Sequence, residues 1–354
     1  MKTKIVYVLV SSPEDLYLEM AYVSMCSVKH HNPDATIVLV VDSATNASFT
    51  STRASFSNKA DEIIVVELDS NIKAQKRSRI LKTSVCQHVK GDYLFIDTDT
   101  VVVRKLDDID GIQSNIAACW DTHSCFSKNP FRDMCLGQTK VIGCDCTNEK
   151  EYFNSGVIYV KDNPLTHDFY STWHKYYLEG YEKGISMDQP SFAKTNINMG
   201  HIVKRLPDVW NCELKHGIRY LKDCYVVHYL TTNKAVADDI QLFTMNDERV
   251  LLKIKTTGEL NSEITSLFDD PFRGIASLTH CFAGKDVYFF KTNTFNKLHR
   301  SYNNNGYLYK IINMAFCISS LPHRVISKIK KVTKNVIGIT RRGRLSENSQ
   351  SIAP

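Results

Sequence analysis

A chain of 354 residues, 43% hydrophobic and 23% charged, is long enough to bury a full core and to hold one large domain plus an appendage or two moderate domains. Its net charge of +6 is uneven: residues 321–354 carry eight Lys and Arg against one acid, Glu347, while the other 36 basic and 37 acidic residues nearly cancel. That distribution excludes a general nucleic-acid surface and leaves an anionic partner to be met by the tail alone.

Eleven cysteines, an odd number without an evenly spaced framework, fit reduced thiols better than a disulfide scaffold. Cys119, Cys125, Cys135, Cys144 and Cys146 cluster, but no Cys-x-x-Cys pair accompanies them and the metal signal is weak. Lys2 and Lys4 precede an apolar stretch, Ile5 to Val10, that is too short for a signal-peptide core, and no segment approaches a membrane span. The expected location is the cytoplasm.

Taken in order, Ile5 to Val10 reads as a strand, Leu16 to His30 as a helix, and Ile37 to Val41 and Ile63 to Val66 as buried strands around a polar segment that holds a helix. Ile72 to Val89 is a helix carrying Lys73, Lys76, Arg77, Arg79 and Lys82, and Tyr93 to Ile96 is the fourth strand. Residues 119–151 read as a long irregular stretch, a lid or acceptor loop. Val157 to Val160 is a strand, His167 to Tyr181 and Asp188 to Thr195 are helices, and Tyr225 to Leu230 is the last clear strand. The alternation implies an α/β fold: a mostly parallel sheet covered on both faces, with ligands at the carboxyl ends of its strands. Residues 1–240 form this domain and 241–354 a mainly helical appendage.

In the appendage, Val325, Ile329, Val332 and Val336 recur at helical spacing with Lys328, Lys330, Lys331 and Lys334 between them, after the aromatic and apolar run from Tyr307 to Phe316. A basic amphipathic segment of this kind suits an anionic membrane surface, where each Lys or Arg contributes about 1 kcal/mol. The expectation is a peripheral protein on the inner face of the plasma membrane.

The chemistry centres on Asp97-Thr98-Asp99, which follows the buried run Tyr93 to Ile96. With an extended backbone through Thr98, both acids would point to one side and repel by about 3 kcal/mol at roughly 5 Å. A divalent cation relieves that repulsion, and oxygen ligands suit Mg²⁺ or Mn²⁺ carrying a substrate diphosphate. Four other stretches bear on the pair: Asn154-Ser155-Gly156 feeding into a buried strand, Met187-Asp188-Gln189, His228 followed by Lys234, and Arg79 on the preceding helix.

Together these residues resemble glycosyltransferase family 8, the retaining group that includes glycogenin and bacterial lipopolysaccharide galactosyl- and glucosyltransferases. The resemblance covers about residues 1–240, with the stretches in family order. It implies a GT-A fold, a UDP-hexose donor, and Mn²⁺ or Mg²⁺ held by Asp97, Asp99 and His228; the imidazole favours manganese. Donor contacts would come from Arg79 (or its neighbour Arg77), Asn154, Lys234, Ser11, Ser12 and Thr98. Asp188 would bind sugar hydroxyls, with Gln189 under the anomeric carbon, and the acceptor would be a glycan or lipid-linked saccharide of a bacterial surface polysaccharide. The chain departs from the family pattern at Thr231, where a glycine is usual, at Ala235-Val236 in place of Pro-Trp, and at Ser11 and Ser12, where acidic or amide residues read the base.

Two other readings compete. Asp97-Thr98-Asp99-Thr100-Val101 has the form of the haloacid-dehalogenase-type phosphohydrolase motif, with Asp97 as nucleophile, although that motif normally follows the first strand of its domain. A nucleotide-sugar-binding protein without turnover is the other.

Overall fold

The computed structural model describes residues 1–230, 244–275, 294–295, 297–298, 301 and 306–319. The chain divides into two compact units, Met1–His280 and Cys281–Pro354. In the first unit, strands β1 (Lys4–Leu9), β2 (Ile37–Asp42), β3 (Glu62–Val66), β4 (Tyr93–Ile96), β6 (Ile116–Trp120), β7 (Phe153–Val160) and β8 (Val203–Arg205) form a sheet in the order β3-β2-β1-β4-β7-β6-β8. Strands β1 to β4 run parallel, while β7 is antiparallel to both β4 and β6. A smaller sheet, in the order β5-β10-β9, joins β5 (Thr100–Val102), β10 (Val226–His228) and β9 (Cys212–Glu213).

The long apolar runs are explained by burial on both faces. Along β1, Ile5, Tyr7 and Leu9 enter one core, which also takes Leu18, Val23 and Val28 of α1 (Tyr17–His31), while Val6 and Val8 enter a second. That second core takes Leu81 of α4 (Ala74–Ser84), Phe169, Tyr170 and Trp173 of α6 (Pro164–Glu182), and Phe192 of α7 (Gln189–Asn198). Two short helices, α2 (Ser43–Ala47) and α3 (Thr52–Ser57), occupy the polar segment between β2 and β3.

Two expectations need correction. Residues 119–151 are not irregular: they contain the end of β6 and helix α5 (Arg132–Val141), and Phe126, Cys135, Ile142, Cys144, Cys146 and Tyr152 build a small core of their own. The clustered cysteines of this stretch thus mainly fill apolar space, and they form no metal-ligand group among the described residues. Helices α8 (Glu248–Thr257) and α9 (Ser262–Asp269), assigned by sequence to the appendage, bury Leu251, Ile254, Ile264, Leu267 and Phe268 in the same core as α1, so the first unit extends past residue 240. In the second unit, helix α10 (Gly306–Ser319) exposes Tyr307, Leu308, Ile311 and Met314. The amphipathic residues 325–336 lie outside the described residues.

What positions the site is the reversal of strand order at β1. After β3 the chain crosses to the other side of β1 and enters β4, so the carboxyl ends of β1 and β4 flank a switch point, where open α/β sheets bind ligands. Ser11 and Ser12 follow β1, and Asp97 follows β4. The antiparallel β7 then brings Asn154, Ser155 and Gly156 past that edge, because Ile96 pairs with Val157. Ile158, fully buried on β7, holds this register against both neighbouring strands. Ile158→Ala should lower unfolding free energy by about 2–5 kcal/mol in urea titrations; a change near zero would mean that β7 is not packed as described.

Candidate active site

The backbone bends at Thr98 and does not run extended, yet the two carboxylates still converge. The Asp97 amide donates to Gly156 O at 2.8 Å, the Thr100 hydroxyl to Asp97 O at 2.8 Å, and the Tyr229 amide to Asp99 O at 3.0 Å. Strands β7 and β10 therefore clamp the turn from two sides. Antiparallel pairing of His228 with Thr100 sets the imidazole beside it, with Nε2 3.3 Å from Asp99 Oδ1 and 4.0 Å from Asp97 Oδ2.

His228 is buried, and its Nδ1 lies 2.9 Å from Asn211 Oδ1. The ring occupies space that only glycine leaves free, since a Cβ on Gly156 would come within 2.2 Å of His228 Cε1. One donor atom from each of Asp97, Asp99 and His228 lies within 4.8 Å of the others. Two hard carboxylates and one imidazole within this distance suit a divalent ion, and the nitrogen donor suits manganese better than magnesium. Among the described residues the other group with this potential is His30, His31 and Asp269, of which His30 and Asp269 are exposed and His31 half-buried, with His30 Nε2 2.9 Å from Asp269 Oδ1.

A second cluster adjoins the first. Asp188 stands at the start of α7 but makes no capping hydrogen bond. Instead its carboxylate lies 3.2 Å from Arg79 Nε and 3.6 Å from Lys82 Nζ and accepts from Ser155 Oγ at 2.8 Å. Burial alone would raise the Asp188 carboxyl, but Lys82 and Arg79, helped by Ser155, outweigh it and hold it at about 2. Lys82 also donates to both Asp97 oxygens, at 3.1 and 3.2 Å. Sequence reading placed Lys82 with the other lysines of its helix; its helical spacing of three from Arg79, which puts both on one face, is the signal that could have singled it out. Arg77 is otherwise engaged, with Nε 2.5 Å from Asp42 Oδ2, which leaves Arg79 as the arginine joined to the cluster.

Gln189 donates from Nε2 to Asp121 Oδ1 at 3.0 Å and to Phe153 O at 3.3 Å, which leaves Oε1 as the unassigned end of its amide. Asp121, at the end of β6, also accepts from Asn154 Nδ2 at 3.3 Å and from Asn129 Nδ2 at 2.9 Å. The sequence reading did not select Asp121. Nearby, burial pushes the Glu213 carboxyl well above its ordinary range, and the neighbouring Asp121 charge adds to the shift. Lys215 hydrogen-bonds Leu230 O, and burial pushes its ammonium below the ordinary lysine range, a shift that the nearby Asp99 charge only partly opposes.

The remaining expected residues divide. Ser11 is buried, donating to Asp15 Oδ1 at 2.6 Å and accepting from Arg53 at 3.1 Å, and the Ser12 amide donates to Asp15 Oδ2 at 2.8 Å. Asp15 and Arg53 thus join the β1 end of the crevice, where sequence alone marked only the serines. Thr98 sits half-buried at the turn. Lys234, Thr231, Ala235 and Val236 lie outside the described residues.

No family model matches the chain, and no curated protein matches it in sequence. Among solved structures, the galactosyltransferase LgtC in complex with donor and acceptor sugar analogues aligns at a TM-score of 0.50 and 15% identity, over 75% of this chain and 99% of that one. An active-site mutant of LgtC aligns at a TM-score of 0.50 and 15% identity, over 74% and 98%. The shared architecture is the GT-A fold.

Because the folded-state pKa of Asp188 is depressed, its stabilising effect is fully present above the ordinary carboxylate range and is lost as pH falls through about 2. Asp188→Asn should cost on the order of 2 kcal/mol at neutral pH, and its urea midpoint should fall less steeply than that of the parent protein as pH is stepped from about 4 toward 2. Parallel slopes would show that Asp188 is not charged in the fold. Gly156→Ala should displace the imidazole and weaken Mn²⁺ binding by about 10-fold or more, read from the EPR signal of free Mn²⁺; unchanged binding would contradict the close packing of ring and backbone.

Proposed function

We propose that the protein is a metal-dependent retaining glycosyltransferase that moves a hexosyl group, glucosyl or galactosyl, from a UDP-sugar to a hydroxyl of a glycan or lipid-linked saccharide. The observation that carries this reading is the convergence of Asp97, Asp99 and His228 at the switch point of a GT-A sheet, beside the linked residues Arg79, Asp188, Asn154 and Gln189. The likeness to a galactosyltransferase with donor and acceptor analogues supports it.

In this reading Asp97, Asp99 and His228 hold Mn²⁺ or Mg²⁺, which when bound neutralises charge on the departing diphosphate. Lys234 and Arg79 meet the diphosphate, and Ser11, Ser12 and Thr98 border the nucleoside. Asp188 keeps Arg79 and Lys82 in place at the edge of the sugar, and Asn154 faces the sugar itself. Gln189, its Nε2 tied to Asp121, directs Oε1 at the anomeric carbon. An amide is a feeble nucleophile, so the acceptor oxygen attacks from the face that UDP leaves, through an oxocarbenium-like state. The C1–O bond to phosphate breaks as the new C1–O bond forms, the bonding pair leaves with UDP, and the acceptor proton passes to a phosphate oxygen.

We further place the acceptor at an anionic membrane surface, as in the assembly of a bacterial surface polysaccharide or lipopolysaccharide on the inner face of the plasma membrane. Support comes from the basic composition of residues 321–354 and from the exposed Tyr307, Leu308, Ile311 and Met314 of α10. Among the described residues no helix is long and apolar enough to cross a membrane.

Incubation with a panel of UDP-sugars and Mn²⁺, beside a generic phosphatase substrate, tests the reading. Release of UDP from one UDP-hexose, abolished by chelation and reduced by on the order of 10²-fold or more in Asp97→Ala, Asp99→Ala and His228→Ala, is the expected result. Phosphate release that depends on Asp97 would establish the phosphohydrolase instead, and donor binding without turnover a binding protein. Sedimentation of the full chain with phosphatidylglycerol vesicles, reversed by salt, is expected from the tail; equal binding to neutral vesicles would refute the electrostatic part.

A further inference from the structure

Four side chains between the metal cluster and Gln189 form one continuous hydrogen-bond chain, and each is at least nine-tenths buried: His228, Asn211, Asn154 and Asp121. His228 Nδ1 meets Asn211 Oδ1 at 2.9 Å, Asn211 Nδ2 meets Asn154 Oδ1 at 3.0 Å, and Asn154 Nδ2 meets Asp121 Oδ1 at 3.3 Å. An asparagine amide and a neutral imidazole can each be turned two ways, so the direction of such a chain is set by members that cannot turn.

Here both fixed members impose the same direction. An ionised Asp121 only accepts, so Asn154 must present its NH₂ to it. The Gly156 backbone amide only donates, and it points at Asn154 Oδ1 at 2.8 Å. With Asn154 fixed, its oxygen faces Asn211, which must turn its NH₂ toward Asn154 and its carbonyl oxygen toward His228. Reversing either amide would set oxygen against oxygen or hydrogen against hydrogen in a buried site.

We propose that Asn211 and Asn154, anchored by Asp121 and the Gly156 amide, are positioning residues that hold His228 as its Nδ1–H tautomer, so that the Nε2 lone pair faces Asp97 and Asp99. The role is the outer-shell one in which a metal-binding histidine donates its other N–H to a fixed acceptor. Asp121 serves both ends, since the same Oδ1 receives Gln189 Nε2. The inference rests on the metal assignment of the proposed function and on no particular donor or acceptor.

The test uses the full chain, metal-free and ¹⁵N-labelled at histidine, held at about pH 8, above the ordinary histidine range. Long-range ¹H–¹⁵N correlation spectra identify His228 by the signal missing from His228→Gln. The expected spectrum has a protonated Nδ1 at His228. Asn211→Leu should shift the ring toward the Nε2–H form and weaken Mn²⁺ binding, followed by EPR, by about 10–100-fold. Asn211→Asp, which still accepts from Nδ1–H but sets its other oxygen against Asn154 Oδ1, should retain the Nδ1 proton while lowering the urea midpoint. An unprotonated Nδ1 at His228 in the parent protein overturns the proposal, even if Asn211→Leu does not fold. So does an Asn211→Leu variant with parental tautomer and affinity. Since no sugar nucleotide is present, a chain that failed to release UDP would leave this result standing, and the two readings fail separately.

Discussion

Mutual repulsion of carboxylates at one sheet edge is the constraint around which the first unit is built. Asp97 and Asp99 are brought together by hydrogen bonds from β7 and β10, and Asp188 and Asp121 stand in the hydrogen-bonded clusters that adjoin them. Charges gathered at a half-buried edge stay ionised only if cations or aligned donors meet them. Lys82 and Arg79 meet Asp188, Lys82 meets Asp97, and amide NH₂ groups meet Asp121. The donors that converge from Asp97, Asp99 and His228 are left suited to a divalent ion.

The fold delivers these groups through strand topology. Parallel β1 and β4 end side by side at the switch point, antiparallel β7 runs back across the opening, and the small sheet folds His228 over the turn between β4 and β5. Glycine at 156 lets strand and ring approach more closely than any side chain would allow. The polar chain from His228 to Gln189 then ties the Asp97, Asp99 and His228 cluster to the residue proposed to face the anomeric carbon, so one set of bonds positions both.

Much of this was legible in the sequence because it is local. The apolar runs of β1, β2 and β4 announce strands buried on both faces, and an acid pair at the end of β4 announces a ligand edge. His228 and Asn154 were reached through resemblance, since neither has a local pattern of its own. Asp121 was missed because the strand before it, Ile-Ala-Ala-Cys-Trp, is dominated by small residues with a weak strand signal, and the stretch after it was read as irregular. Helix α5 was missed for a like reason: Gly137, a poor helix former, falls in its middle, and its few buried residues pack on a small local core. Lys82 and Asn211 look like ordinary surface residues until the fold buries them. What sequence conceals here is pairing across distant strands, which depends on register and not on spacing.

One divalent ion shared by Asp97, Asp99 and His228 is the proposed feature on which the rest of the chemistry depends. Electron spin-echo modulation of Mn²⁺ bound to the full chain reads that claim directly, because nitrogen coordinated to manganese modulates the echo. A single ¹⁴N coupling of directly bound imidazole that disappears in His228→Gln is the expected result. Bound Mn²⁺ without nitrogen modulation, or with modulation that survives that substitution, would contradict it.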